Sequence, residues 1–123
     1  DILFNKANAK LLSDAWLFAK ERTKSLDVLE RSLNEDPNDK KLVKQYINIA
    51  FSAFEWDEVI NGIQKAKNIG VDDDGKHSLM IGIAYFEKKN LNKAESSFIE
   101  ASNSKKYADQ GNAWLEYLEA LKG

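Results

Sequence analysis

Residues 82–101, which read GIAYFEKKNLNKAESSFIEA, decide the fold of this chain. Apolar residues recur at helical spacing on both sides of a short polar break, which predicts two helices joined by a tight turn. Gly82 and Ala94 are small residues on the first and second of these helices. They allow the two backbones to approach to about 8 Å, the lower end of helix packing distances. Tyr85 and Phe98 are predicted to fill the space beside them.

The same plan occurs three times along the chain. Units over residues 6–39, 40–74 and 75–107 each contain two helical stretches with a polar break between them. In the first unit the break is predicted around Glu21–Lys24. The units start 34 and 35 residues apart, a period typical of repeat proteins built from helix pairs. A last amphipathic helix over 108–122 is predicted to cap the array, which gives seven helices in a single domain.

The third unit contains a specific pattern of small and aromatic residues, formed by Gly82, Tyr85, Ala94, Phe98 and Ala101. In this pattern the chain resembles tetratricopeptide repeat (TPR) proteins, and the resemblance extends over residues 6–104. It implies an all-α fold, a right-handed superhelical array of three TPR helix pairs followed by a C-terminal capping helix. It also implies a noncatalytic module that binds a peptide or a partner's helix in a concave groove lined by the first helix of each pair.

By that resemblance, the exposed groove positions combine lysines with apolar side chains. They are Lys10, Asp14, Phe18, Lys41, Lys44, Asn48, Phe51, Lys76, Leu79, Ile83 and Phe86. Four lysines against one aspartate favour a ligand segment that carries carboxylates beside apolar side chains. The alternative is that the lysines only solvate their helix faces while the aromatic residues belong to the core.

Composition argues against several other functions. Eighteen basic and 20 acidic residues give a net charge of −2, so the clustered basic excess typical of nucleic-acid binding is missing. The absence of cysteine removes disulfides, thiolate catalysis and zinc-finger sites. No catalytic or nucleotide-binding motif occurs, so we predict no enzyme activity, no catalytic residue and no cofactor. No apolar run approaches the roughly 20 residues of a membrane-spanning helix, so we predict no direct membrane insertion.

Two features suggest a metal site, but each has a simpler interpretation. Asp72–Gly75 resembles a calcium loop, yet Gly70 and Ile81 would occupy positions that require carboxylates. We therefore expect the aspartates to cap the following helix. His77, the only histidine, lacks paired ligands in the sequence around it, and we predict a partly exposed residue in the first turn of a helix. No metal site is predicted.

Two alternative functions remain open. A chaperone adaptor of the carboxylate-clamp type would use Lys44 and Asn48, but Met80 stands where the next polar contact would be, so the clamp is incomplete. A self-associating scaffold is the other alternative, because uncovered repeat ends can stack into a homo-oligomer.

A narrower resemblance comes from the end of the chain. Asp73–Gly75 and Ala113–Tyr117 resemble segments of bacterial periplasmic TPR proteins associated with TonB systems. The resemblance implies a periplasmic location, a protein partner in a cell-envelope complex linked to TonB-dependent uptake of iron chelates, and a chain that is the C-terminal part of a longer protein. A cytoplasmic location is the alternative.

Overall fold

The structure, a computed structural model, describes residues 6–123, with side chains from Lys20 onward. Its six helices are α1 (Lys6–Glu35), α2 (Lys40–Ser52), α3 (Trp56–Asn68), α4 (Lys76–Glu87), α5 (Leu91–Ser102) and α6 (Ala108–Lys122). The described residues contain no strand. The predicted all-α class is therefore confirmed.

Helix α1 differs from the prediction. The break expected around Glu21–Lys24 is wrong, because one helix of 30 residues runs from Lys6 to Glu35. That segment has neither glycine nor proline, and Glu, Arg and Lys are good helix formers, so a polar run alone does not interrupt a helix. The helix ends just before Pro37, the only proline, because the residue preceding a proline disfavours the helical conformation. The two helices predicted for the first unit are therefore one.

The turns from α2 to α3 and from α4 to α5 have the same geometry. Each contains a residue with a left-handed backbone, Phe54 (φ 59°) or Lys89 (φ 65°). After Phe54, the Glu55 amide donates to the Ala50 carbonyl at 3.0 Å, and the equivalent bond 35 residues later measures 2.8 Å. This arrangement is a Schellman motif, which satisfies free carbonyls at a helix end and reverses the chain. The two helix pairs are thus closed in the same way.

Each helix packs against the next one along the chain. The larger core cluster joins α1, α2, α3 and α4 around the fully buried Val43, Ile47 and Ile63. A smaller cluster joins α4, α5 and α6 around Phe98. Helix α4 therefore lies between α3 and α5, which confirms the prediction that its apolar run over residues 79–86 is a sandwiched helix.

Helices α4 and α5 approach each other closely at Gly82. A Cβ atom there would lie 2.6 Å from the ring of Phe98. Phe98 is fully buried, as is Ala94 one turn earlier on α5. The prediction paired Gly82 with Ala94, and the structure shows that Phe98 fills the space over the glycine.

Candidate functional site

The predicted groove residues on α2 and α4 form one stripe on each helix. They are Lys41, Lys44, Asn48 and Phe51 on α2, and Lys76, Leu79, Ile83 and Phe86 on α4. Both sets follow the spacing i, i+3, i+7, i+10, which places the four side chains of a helix on one face. The remaining predicted residues, Lys10, Asp14 and Phe18, lie outside the side chains that the structure describes.

The polar residues of these stripes are exposed and free of ion pairs. Lys41, Lys44, Asn48 and Lys76 are all exposed. The lysine–carboxylate pairs among residues 20–123 lie elsewhere, at Lys67–Glu100, Lys88–Asp57 and Lys122–Glu95. The ammonium groups of the stripes are therefore available to the carboxylates of a ligand.

An apolar cleft lies where α4 meets the C-terminal helix α6. Phe86, Ala113, Trp114 and Tyr117 line it, and we call it the aromatic cleft. The centroid of the Phe86 ring lies 5.2 Å from that of Trp114 and 5.7 Å from that of Tyr117. The cleft is open to solvent and almost free of polar atoms, so it fits a large apolar side chain.

Packing beneath the cleft holds Trp114 in place. The rings of Phe98 and Trp114 are stacked, with centroids 5.0 Å apart and an interplanar angle of 8°. Phe98 is fully buried, and Leu118, one turn along α6 from Trp114, is only 2% exposed. Because the core fixes one face of the Trp114 ring, little conformational entropy would be lost when a ligand contacts its accessible atoms.

The contribution of α6 to this face was not predicted from the sequence. Ala113 and Tyr117 follow Leu79 and Ile83 by 34 residues, and both line the aromatic cleft. A spacing of 34 residues thus connects positions on α4 with positions on α6, and this spacing was the signal that could have identified the cleft. Helix α6 both covers the core and extends the candidate site.

The apolar groove residues, which were predicted to be exposed, are all half-buried: Phe51, Leu79, Ile83 and Phe86. Phe51 is half-buried at the edge of the larger core, and its ring meets that of Trp56 edge-on at 5.6 Å. Met80, the position considered for a carboxylate clamp, is only 6% exposed and lies in the core. Met80 therefore cannot contribute to a carboxylate clamp.

A second cleft, which we call the α1–α2 groove, lies between α1 and α2. Its lining residues are Ser25, Val28, Leu29, Gln45, Asn48 and Ile49. Asn48 is a predicted groove residue, and the others were not identified from the sequence. The side chain of Val28 is 62% exposed, so the groove presents apolar surface to solvent.

The capping predicted for the aspartate run at the start of α4 is confirmed for Asp73. Its carboxylate accepts hydrogen bonds from the backbone amides of Gly75, at 3.2 Å, and His77. The predicted partial exposure of His77 is wrong, because the residue is only 6% exposed on a helix covered by its neighbours. Its Nδ1 atom lies 3.0 Å from the Asp73 carboxylate. Burial lowers the pKa of His77, although the Asp73 charge acts in the opposite direction.

Acidification from about pH 7 to pH 5 should destabilise the protein through His77. Its pKa is lower in the folded protein than the roughly 6.5 of an unfolded chain. The unfolded state therefore binds the proton first, and the free energy of unfolding falls as the pH drops through about 6.5. Urea midpoints should fall over this range for the native sequence and stay nearly constant for His77→Gln. Because His77 is the only histidine, a flat profile for the native sequence would contradict the prediction.

Comparison with known proteins assigns the sequence to no family. No protein-family model matches the sequence, and no curated protein matches it significantly.

None of the described helices is both long and apolar enough to cross a bilayer. Over the described side chains, no three histidine or acidic residues are grouped so that they could hold a metal ion.

Proposed function

We propose that the chain is a tetratricopeptide-type array that binds a protein or peptide partner along the face formed by α2, α4 and α6. The aromatic cleft is the observation that supports this most directly. An accessible apolar concavity lined by tryptophan and tyrosine is typical of protein interaction sites. The proposed face also carries the exposed, unpaired lysines of α2 and α4.

Recurring packing supports the repeat arrangement. The two turns at Phe54 and Lys89 have matching hydrogen bonds. Buried positions on α2 and α3 recur 35 residues later on α4 and α5: Tyr46, Ile47, Val59, Ile63 and Ala66 correspond to Ile81, Gly82, Ala94, Phe98 and Ala101. Contacts between consecutive helices are what a linear array of repeats requires.

The chemistry of the face indicates what kind of ligand it binds. A large apolar side chain in the aromatic cleft would contribute at most about 1.5–3 kcal/mol, the value for complete burial. Carboxylates elsewhere on the ligand would pair with Lys44 and Lys76, both exposed. Exposed charges mainly accelerate association and make it salt-dependent. We therefore propose an acidic segment with one aromatic or large aliphatic anchor.

Phe86→Ala should weaken binding about fivefold or more, because truncation of a central aromatic anchor usually costs more than about 1 kcal/mol. Lys44→Ala should slow association and reduce its salt dependence. The partner would be captured from bacterial envelope extract with the chain as bait. Its shortest binding segment would then be titrated by calorimetry, with association rates measured at two salt concentrations.

Matched controls come from the second helices of the pairs, which the proposal places on the outer side. Ile99→Ala on α5 removes an apolar side chain that is 46% exposed, and Lys67→Ala removes an exposed lysine on α3. Both variants should bind like the native sequence. If Phe86→Ala and Lys44→Ala fold, by circular dichroism, and bind with unchanged affinity and rates, the proposed site is wrong.

The partner class that we propose is a component of a bacterial envelope complex linked to TonB-dependent uptake, with the chain in the periplasm. The support is the resemblance in Asp73–Gly75 and Ala113–Tyr117. The first segment caps α4. The second segment lines the aromatic cleft, so this part of the resemblance concerns residues at the proposed face. Capture of further copies of the chain alone, in open-ended assemblies, would favour the scaffold alternative.

A further inference from the structure

Helix α1 extends well beyond α2, the helix on which it packs. The two helices are antiparallel, and the guanidinium of Arg22 donates to the carbonyl of Ser52, the last residue of α2, at 3.0 Å. Residues 6–21 of α1 therefore lie past the end of α2. At 1.5 Å per residue this extension is about 24 Å long.

The α1–α2 groove is open along one side of this helix pair. Leu29 and Ile49 are half-buried there, and Val28 is 62% exposed. Apolar positions on this open side lack the burial that a third helix would provide.

The first half of α1 has the sequence of a helix that would fill this groove. Its apolar residues recur at helical spacing, at Leu11, Leu12, Ala15, Trp16 and Ala19. Residues 6–20 span about 22 Å of helix, close to the roughly 20 Å of α2. Within one continuous helix, however, residues 6–20 cannot turn back onto residues 25–35 of their own chain. A second copy can place them there.

The charges of the two halves are complementary. Residues 6–20 contain three lysines and one aspartate, for a net charge of +2, whereas residues 25–35 contain one arginine and three acidic residues, for a net charge of −2. Opposite charges favour antiparallel packing of the first half of one α1 against the second half of another.

We propose that the chain forms a closed dimer by exchange of the first half of α1: residues 6–20 of each copy pack into the α1–α2 groove of the other. The two long helices run antiparallel, with the two-fold axis near Arg22, and the interface is self-complementary. The exchange brings Lys10, Asp14 and Phe18 of one copy beside α2 of the other. The partner copy thus supplies the first helix of the binding face, and this inference does not depend on the identity of the ligand.

The absence of cysteine makes a cross-linking test direct. Ala15→Cys chains refolded with Val28→Cys chains should form a disulfide-linked heterodimer under mild oxidation, because an axis near residue 22 places these positions close together. Ala15→Cys refolded with Glu100→Cys, an exposed position on α5, should not. A chain carrying both Ala15→Cys and Val28→Cys that forms only the internal disulfide would show that the segment folds back within one copy and would overturn the proposal.

Light scattering should give twice the 14.0 kDa chain mass. Val28→Asp should weaken the dimer about tenfold or more, because a carboxylate would enter an apolar interface, while the exposure of Val28 lets the chain fold. Thr23→Pro interrupts α1, so residues 6–20 can fold back into the α1–α2 groove of their own chain. The measured mass should then correspond to one chain. A native chain that stays at 14.0 kDa up to its solubility limit would overturn the proposal, as would a Val28→Asp chain that folds and dimerises as tightly as the native one.

Discussion

Deletion of residues 107–123 should leave a chain that is far less stable and prone to aggregate. Helix α6 covers Phe98, which is fully buried, through the stacked ring of Trp114 and the side chain of Leu118. Leu118 is buried, whereas Trp114 and Leu115 are half-buried. Together they contribute roughly 4 kcal/mol, given 1.5–3 kcal/mol for each fully buried large apolar side chain. That is a large part of the roughly 5–15 kcal/mol that stabilises a typical domain.

The measurement is a comparison of thermal unfolding and particle size for the full and shortened chains. Deletion of residues 122–123 is the matched control, because it removes the ion pair between Lys122 and Glu95 and leaves the apolar contacts of α6 intact. An exposed ion pair contributes little, so this control should unfold at nearly the same temperature as the full chain. If the chain ending at residue 106 matches the full one in unfolding temperature and association state, α6 is not a cap.

The helix pairs could be predicted from the sequence where two independent signals coincide. For α4 and α5, helical periodicity on both sides of a polar break agreed with the pattern of small and aromatic residues. For α1, polarity around Glu21–Lys24 was the only signal for a break. Helix continuity depends on backbone preference, and this segment contains only residues that tolerate a helix. The one strong break signal in the region is Pro37, and the helix ends just before it.

Only those features of the candidate site that depend on residue spacing along a single helix could be predicted. The stripe of Lys41, Lys44 and Asn48 follows directly from helical periodicity. The aromatic cleft depends on how closely α6 approaches α5. At Gly111 a Cβ atom would lie 2.7 Å from the Ser102 backbone nitrogen. The burial of His77 likewise depends on where neighbouring helices end, which its position in the first turn of α4 does not reveal.

Gly82→Leu should destabilise the protein by about 1–3 kcal/mol or more. The Cβ atom alone would lie 2.6 Å from the Phe98 ring, and the leucine would add three further carbons. Phe98 cannot move aside easily, because it is fully buried and stacked on Trp114. Overpacking of a filled core forces side chains out of their preferred rotamers and shifts the backbone.

The direction in which Gly82→Ala changes the stability of the protein tests for this clash. In a helix interior without steric conflict, this substitution stabilises by roughly 0.5–1 kcal/mol, so a loss of stability at position 82 measures the clash with Phe98. Phe98→Leu should remove the ring that the new Cβ atom meets. In a double-mutant cycle by urea denaturation, Gly82→Ala should therefore cost less in the Phe98→Leu background than in the native one. If Gly82→Leu leaves both the midpoint and the slope of urea unfolding unchanged, α4 and α5 do not meet at Gly82, and the pattern of small and aromatic residues is not what holds the pair together.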